Sequence, residues 1–188
     1  TIKAFALQGC NSVNKFVIGK NIVTIEEGAF INISNLVEAG VSNNSDFQVR
    51  KINSNDPQYA YAGGAIYQFL PDTSSWALIS YLATTDTDTF KVPNDVTHIG
   101  NYAFAYNTKI KNIDLNNVQS IGEYAFYGCT AITNINIPSV SGGPFEYIGD
   151  YAFAECDSLT SVYSEAGVLT LGENVFGENL NIRIYCPV

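Results

Sequence analysis

Methionine is absent from the 188 residues, histidine and tryptophan occur once each, and lysine plus arginine together number nine. Each shortage closes off some functions. Nine basic residues against eighteen acidic ones leave a net charge of -9, which repels phosphate backbones and offers no basic stripe to nucleic acid or to an anionic membrane surface. No apolar run approaches the ~18 residues of a membrane span, and the amino end lacks the charged-then-apolar pattern of a signal peptide. A chain that starts at Thr1 without methionine reads as a mature form or an excised part of a longer protein, so export has to be argued from other features. The four cysteines form no C-x-x-C pair and have one histidine to help them, which argues against a metal site. What is plentiful is apolar. Hydrophobic residues make up 46% and aromatic ones 13%, enough to build a core at this length and to exclude wholesale disorder.

A fixed period runs through the chain. The strings IGNYAF at 99–104, IGEYAF at 121–126 and IGDYAF at 148–153 are near copies, 22 and 27 residues apart. Residues 25–30 and 171–176 fit the same frame, and residues 2–7 fit if Leu7 takes the Phe place. After the Phe, apolar residues recur at about six, nine and eleven positions: Val13, Phe16, Ile18; Ile110, Ile113, Leu115; and Ile132, Ile135, Ile137. The fifth unit offers Leu159 and Val162 but ends on Ser164, and the last supplies Ile182 and Ile184. The alternation closing each string is that of a short strand with one buried face. Units of this size cannot cover their own apolar face, so they must stack, with the Phe side chains piled in a column.

The frame lapses between Phe30 and Phe104. Two apolar runs, 65–69 and 76–81, flank a Pro71-Asp-Thr-Ser-Ser75 turn and predict a β-hairpin, with polar loops at 43–56 and 84–89. The whole chain, 1–188, reads as one domain of six repeats at about 2–23, 24–42, 97–118, 119–140, 146–168 and 169–188, with an insertion over about 43–92. The pattern predicts a right-handed leucine-rich-repeat solenoid, a β-rich superhelix of α/β type. Each repeat gives one short parallel strand, with a short helical turn behind it at the Ile-Gly corner, where Gly is expected to supply a positive φ.

The strings IGNYAF, IGEYAFYGC and IGDYAFAEC, together with INIP at 135–138, resemble the BspA-like leucine-rich repeats of bacterial surface proteins. The insertion, with GGAIY, LISY and FKVPNDVTHIG, resembles the hairpin-bearing unit of that family. Asn107 and Asn179 stand where the family has Cys, and Leu7 where it has Phe. The resemblance implies export, surface display and binding to a host or neighbour-cell macromolecule. It implies no cofactor.

Chemistry-bearing residues are sparse. Cys10, Cys129 and Cys156 share one repeat position, where a small apolar thiol suits a tight layer, while a Cys129–Cys156 disulfide is the alternative. His98 has no nucleophile and acid placed beside it by any motif, and the pairs Glu26-Glu27 and Asp86/Asp88 read as solvated charge rather than as a glycosidase pair. The informative surface is the open face of the predicted sheet. Its ligand-contact candidates are Asn112, Asp114, Asn134, Asn136, Ser161, Tyr163, Asn181 and Arg183, continuing Lys15 and Val17 of the first unit. Recurring Asn amides serve equally as a hydrogen-bonded ladder or as ligand contacts. Tyr163 and Arg183 are the stronger contacts, because Tyr and Arg concentrate at interface hot spots. Tyr61, Tyr67, Trp76 and Tyr81 on the hairpin form a second aromatic group, expected mainly in the core. Binding of an extracellular protein or glycan is the leading function. A spacer or self-assembling segment is the rival, and a hydrolase comes last.

Overall fold

The computed structural model describes residues 1–18, 22, 24–33, 38–41, 59–62, 64–82, 88–139, 145–166, 170–179 and 181–186, without the side chains of 38–41 and 59–62. The loop expected at 43–56, Asp86 and the side chain of Tyr61 lie outside this description. The front of the chain contributes β1 (Lys15–Ile18) and β2 (Glu38–Val41), and the hairpin region β3 (Tyr59–Ala62), β4 (Ala65–Leu70) and β5 (Ser75–Tyr81). The array continues through β6 (Thr89–Lys91), β7 (Val96–Ile99), β8 (Asn112–Asp114), β9 (Ser120–Ile121) and β10 (Asn134–Ile137). It closes with β11 (Tyr147–Ile148), β12 (Ser161–Ser164) and β13 (Arg183–Tyr185).

These strands fall into two ladders of stacked coils. One ladder is the expected one: β10, β12 and β13 pair in parallel, as do β6 with β8 and β1 with β2, and β8 lies beside β10. In β10 the alternation works as the sequence dictates, burying Ile135 and Ile137 and exposing Asn134 and Asn136. The second ladder runs through the residues just before the Ile-Gly step. It is a six-stranded sheet in the order β11-β9-β7-β5-β4-β3. Each complete coil therefore has two short strands, not one.

Behind the strands no helix forms among the described residues, and the expected helical turns are corrected to a strap of successive tight turns. The reason is visible in the backbone. In each corner two residues take a left-handed conformation, Tyr102 and Tyr106 at φ 60° and 61°, Tyr124 and Gly128 at 54° and 68°, Tyr151 and Glu155 at 54° and 58°. A left-handed residue stops right-handed helix propagation. Alternate N–H groups then point two ways. Those of Ala103 and Ala105 bond within the turn, to Gly100 O and Tyr102 O, while those of Tyr102, Phe104 and Tyr106 donate to Glu123 O, Ala125 O and Tyr127 O of the next coil at 2.7–3.0 Å. The corner is thus knitted to its neighbour as a sheet would be.

Inside the corners the rings pile up as the period requires. Tyr81, Phe104, Phe126, Phe153 and Phe176 follow one another with centroids 5.1, 4.8, 5.0 and 6.0 Å apart and planes within 21°. A second column, Tyr102, Tyr124 and Tyr151, stands beside it at 5.1 Å spacing. Offset stacking adds to the burial of each ring.

The glycine of the Ile-Gly step has a different job from the expected one. Gly100, Gly122, Gly149 and Gly172 do not have positive φ. Each donates its N–H to the preceding coil at 2.8 Å, to Leu78 O, Ile99 O, Ile121 O and Ile148 O respectively. The coils approach so closely here that a Cβ on Gly149 would lie 2.5 Å from Glu123 N. Glycine is required for space.

Residues assigned to an insertion divide in the structure. β3 and β4 form an antiparallel pair outside the repeat frame, whereas β5 pairs in parallel with β7 and β6 with β8, so the later part of 43–92 is a coil of the stack. Tyr67, Trp76 and Tyr81 are buried in the main core. The front two coils have their own core around Ile18, Ile25, Ala29, Phe30 and Ile33, joined to the hairpin by Ile66 and Leu82.

Candidate functional site

The open face of the first ladder carries the candidate residues. Asn112, Asp114, Asn134, Asn136, Tyr163 and Arg183 are exposed on their strands, Ser161 is half-buried, and Asn181 is exposed in the turn before β13. Register fixes which of them are neighbours. Asn134 faces Ser161, which faces Arg183, and Asn136 faces Tyr163, which faces Tyr185. Arg183 aligns with Ser161 and not with Thr160, because the last coil is one residue shorter: Val162 lies nine positions after Phe153, but its partner Ile184 only eight after Phe176. The shortening shows in the corner, where the left-handed residue comes one place early, at Gly177.

The face changes character along its length. At one end Lys91 and Asp114 pair at 3.1 Å and Lys111 and Asp88 at 3.5 Å, exposed bridges that neutralise each other. At the other end the rings of Tyr163 and Tyr185 stack at 4.8 Å and 10°, 46% and 44% exposed. Asn134 and Asn136 bond to other side chains rather than to an Asn ladder. Asn134 Nδ2 donates to Thr133 Oγ1, and Asn136 Nδ2 to Glu165 Oε1, both at 3.2 Å. A shallow depression lined by Asn136, Tyr163, Ser164, Glu165, Tyr185 and Cys186 adjoins a second, lined in part by Asp114, Asn116, Asn136 and Pro138. Tyr185, Glu165 and Ser164 are additions to the sequence-derived set. Tyr185 was legible only with the shortened register, and Ser164 stood out as the polar end of an apolar string.

The sequence pattern of the BspA type leucine rich repeat region matches residues 1–55 and 80–185, in six copies. The chain belongs to that family. Among solved structures, a leucine-rich repeat protein from Eubacterium ventriosum ATCC 27560 is 26% identical with a TM-score of 0.70, over 92% of this chain and 42% of that one. A leucine-rich repeat protein from Bacteroides capillosus ATCC 29799 aligns with TM-score 0.61 at 20% identity, over 70% of this chain and 100% of that one. The pneumococcal vaccine antigen PcpA aligns with TM-score 0.52 at 16% identity, over 94% and 51%. This chain thus spans less than half of the Eubacterium structure and about half of the pneumococcal one. No curated protein matches.

In this BspA-type array the shared cysteine position is a hydrogen-bond donor to the preceding coil. Cys129 Sγ donates to Phe104 O and Cys156 Sγ to Phe126 O, both at 3.1 Å, and all four cysteines are free. Where Asn replaces Cys the link changes form. Asn179 Nδ2 donates to Cys156 O and Leu159 O, and Asn107 Oδ1 accepts from the N–H groups of Lys109 and Ile110. Burial pushes the Cys156 thiol up to about 12 and that of Cys129 well above its ordinary value, so both stay protonated and able to donate. We expect a thiol reagent at pH 8 to label Cys186 and Cys10 on the folded protein, and Cys129 and Cys156 only after denaturation, as peptide mapping would show. Because these thiols ionise more readily in the unfolded chain, their contribution to stability is complete below about pH 9 and falls as pH rises toward 12.

The remaining candidates have structural partners. His98 Nδ1 shares a hydrogen bond with Thr97 Oγ1 at 2.7 Å, which continues to Ser75 Oγ and Thr73 Oγ1, a run of hydroxyls without a carboxylate. Glu26 accepts from Lys3 Nζ and the Ala4 N–H, which together hold its carboxyl below the ordinary range, and Glu27 accepts from Asn101 Nδ2. Among the described residues no three His, Cys, Asp or Glu side chains come together as a metal site, and no helix is long and apolar enough to cross a membrane.

Proposed function

We propose that this chain is a ligand-binding segment of a bacterial cell-surface protein, recognising an extracellular protein or glycan of a host or neighbouring cell through the open face of β8, β10, β12 and β13. One observation carries the reading: an exposed, preorganised pair of tyrosines, Tyr163 and Tyr185, set in a depression with Asn136 and Glu165. The other stacked rings, which link successive coils, are buried or half-buried, whereas both members of this pair are exposed. Rigid, amphipathic rings of this kind are typical anchors of binding energy. Membership of the BspA-type family and the likeness to a vaccine antigen support a surface location.

Screening the protein against immobilised extracellular-matrix proteins and glycans tests the proposal. We expect at least one ligand whose binding weakens by about tenfold or more in both Tyr163→Ala and Tyr185→Ala. Ligands that ignore both substitutions would place recognition elsewhere.

A self-assembling spacer is the second reading, favoured by β13. Among the described residues it is the edge of its sheet, and Ile184 on it is exposed. A sheet edge is a template for pairing with a further strand, which another copy could supply. Light scattering separates the readings: ordered oligomers together with an empty binding screen favour the spacer. The remote hydrolase reading turns on His98, whose ring bonds a threonine hydroxyl.

A further inference from the structure

Two residues on the outer side of the strap are larger than the repeat needs. Each position recurs from coil to coil, so neighbouring coils show what the fold itself requires there. Tyr127 stands where the coils before and after it have Ala105 and Ala154. Tyr106 stands where the next coils have Gly128 and Glu155, all three in the left-handed conformation at φ 61°, 68° and 58°, which strains a tyrosine and not a glycine. Tyr106 is 42% exposed, and a Cβ on Gly128 would lie 3.0 Å from its ring, so that glycine leaves the room the ring occupies. The rings of Tyr106 and Tyr127 meet edge to face, with centroids 5.4 Å apart and planes at 72°, and Tyr124 joins Tyr127 at 5.7 Å. None of the three belongs to either core. Clustered tyrosines on a surface where alanine and glycine would serve the fold have the character of a contact patch.

The same comparison applies to charge. The residue after the Ile-Gly step is Asn101, Glu123 and Asp150 in successive coils, and Glu173 holds the place in the last. Asn101 Oδ1 accepts the Glu123 N–H at 2.8 Å and Asp150 Oδ1 accepts the Glu173 N–H at 2.7 Å, so an amide makes the same link as a carboxylate. The charge of Asp150 is therefore surplus to that bond, and it sits between two further carboxylates, where like-charge repulsion disfavours it. On the other flank, burial and then the Glu155 carboxylate raise the Tyr127 phenol above its ordinary value, which puts Glu155 within electrostatic reach of the rings. Residues 112–182 contain no Lys, Arg or His. Lys109 lines the groove in front of Tyr106, toward Phe30 and Ile33, whereas Tyr127, Glu123 and Glu155 lie in the coils behind.

We propose that this side of the strap, centred on Tyr106, Tyr124 and Tyr127 and bordered by Glu123, Asp150 and Glu155, docks an extended, lysine- or arginine-bearing segment of a protein partner. It is a second surface, independent of the open face of β8, β10, β12 and β13. The aliphatic stems of such side chains lie along the rings while their charged heads reach the carboxylates, and a cation over an exposed tyrosine face gains further from the ring quadrupole. An acidic segment is repelled from the same surface, and a neutral one gains nothing from the carboxylates.

Fluorescence anisotropy of the whole chain with a labelled alternating lysine–serine peptide, and with its glutamate–serine and glycine–serine counterparts, tests the surface at low and at physiological salt. Only the lysine peptide should bind, and more weakly at the higher salt. Tyr106→Gly and Tyr127→Ala, each a residue that a neighbouring coil carries at that position, should weaken it by about tenfold while circular dichroism shows the chain folded. Asp150→Asn, which keeps the bond to the Glu173 N–H, should weaken it by about threefold without lowering the thermal midpoint. Asp72→Asn, in the β4–β5 turn, removes the same net charge away from the strap and should leave binding unchanged. Equal losses in Asp72→Asn and Asp150→Asn would mean that net charge alone attracts the peptide, and would overturn the surface. So would a lysine peptide that does not bind, or that ignores both tyrosine substitutions. A loss on Tyr163→Ala would move the peptide to the open face and overturn the strap assignment while leaving the ligand face standing.

Discussion

Phe126→Ala is expected to lower stability by about 3–5 kcal/mol, a fall in the thermal midpoint on the order of 10 °C for a chain of this size. Phe126 is completely buried and lies between Phe104 and Phe153 in the ring column, with centroids 4.8 and 5.0 Å away. Removing it opens a cavity flanked by two rings whose backbones are tied to its own by the Phe104 N–H to Ala125 O and Phe126 N–H to Ala152 O bonds. The neighbours cannot collapse into the gap without breaking that strap, so the loss should fall toward the upper part of the range for such a truncation. Position along the column gives an internal control. Phe176 is only partly buried and its ring is 6.0 Å from Phe153, so Phe176→Ala should cost distinctly less. Exposed Asn136→Ala should change stability by no more than about 0.5 kcal/mol. Unfolding curves followed by circular dichroism compare the three, and equal midpoints would mean that the column is not the main support of the stack.

The column was legible because it is a matter of period: the three IGxYAF strings place their Phe residues at one depth in successive coils. Alternation made the exposed residues of β10 and β12 equally readable. The corners were less so. Helix was expected at a Tyr-Ala-Phe segment whose residues tolerate it, but interstrand bonds from alternate N–H groups outweigh local preference, and they require Tyr102, Tyr124 and Tyr151 to sit at positive φ. No propensity argument places a tyrosine there, since a bulky side chain is strained in that conformation. Stacking of the three rings at 5.1 Å offsets part of the strain, and that contact exists only between coils. The second ladder was hidden for a similar reason. Its strands in the later coils are two residues long, too short for an alternation to register. On the candidate face, Tyr185 was not singled out because a frame counted from Phe176 sets it opposite buried Val162 and cannot reveal a coil that is one residue short, whereas the stacked Tyr163 and Tyr185 rings show it at once.

Two explanations for a conserved-looking glycine pattern within one chain predict opposite rankings of substitutions, and Gly149→Ala against Gly9→Ala separates them. Gly9 has φ 67° and no atom within 4 Å of a Cβ built on it, so alanine there meets only the conformational penalty, about 1 kcal/mol. Gly149 has no such φ, but a Cβ would lie 2.5 Å from Glu123 N and 2.6 Å from Gly122 C, both main-chain atoms of the coil in front. No side-chain rotation relieves that clash. The coils would have to separate where Gly149 N–H reaches Ile121 O at 2.8 Å, and with them the strap and the ring column on either side. Overpacking against fixed backbone is expected to cost about 3 kcal/mol or more. Gly100 marks the intermediate case, since its Cβ would approach Leu78 O at 3.2 Å and Ile79 Cα at 3.3 Å, distances a slight shift can absorb. Urea midpoints should therefore fall most for Gly149→Ala, with the other two clearly smaller. A Gly149→Ala protein as stable as Gly9→Ala would mean that the coils can part at the Ile-Gly step at little cost, and that close backbone approach does not set the spacing of the array.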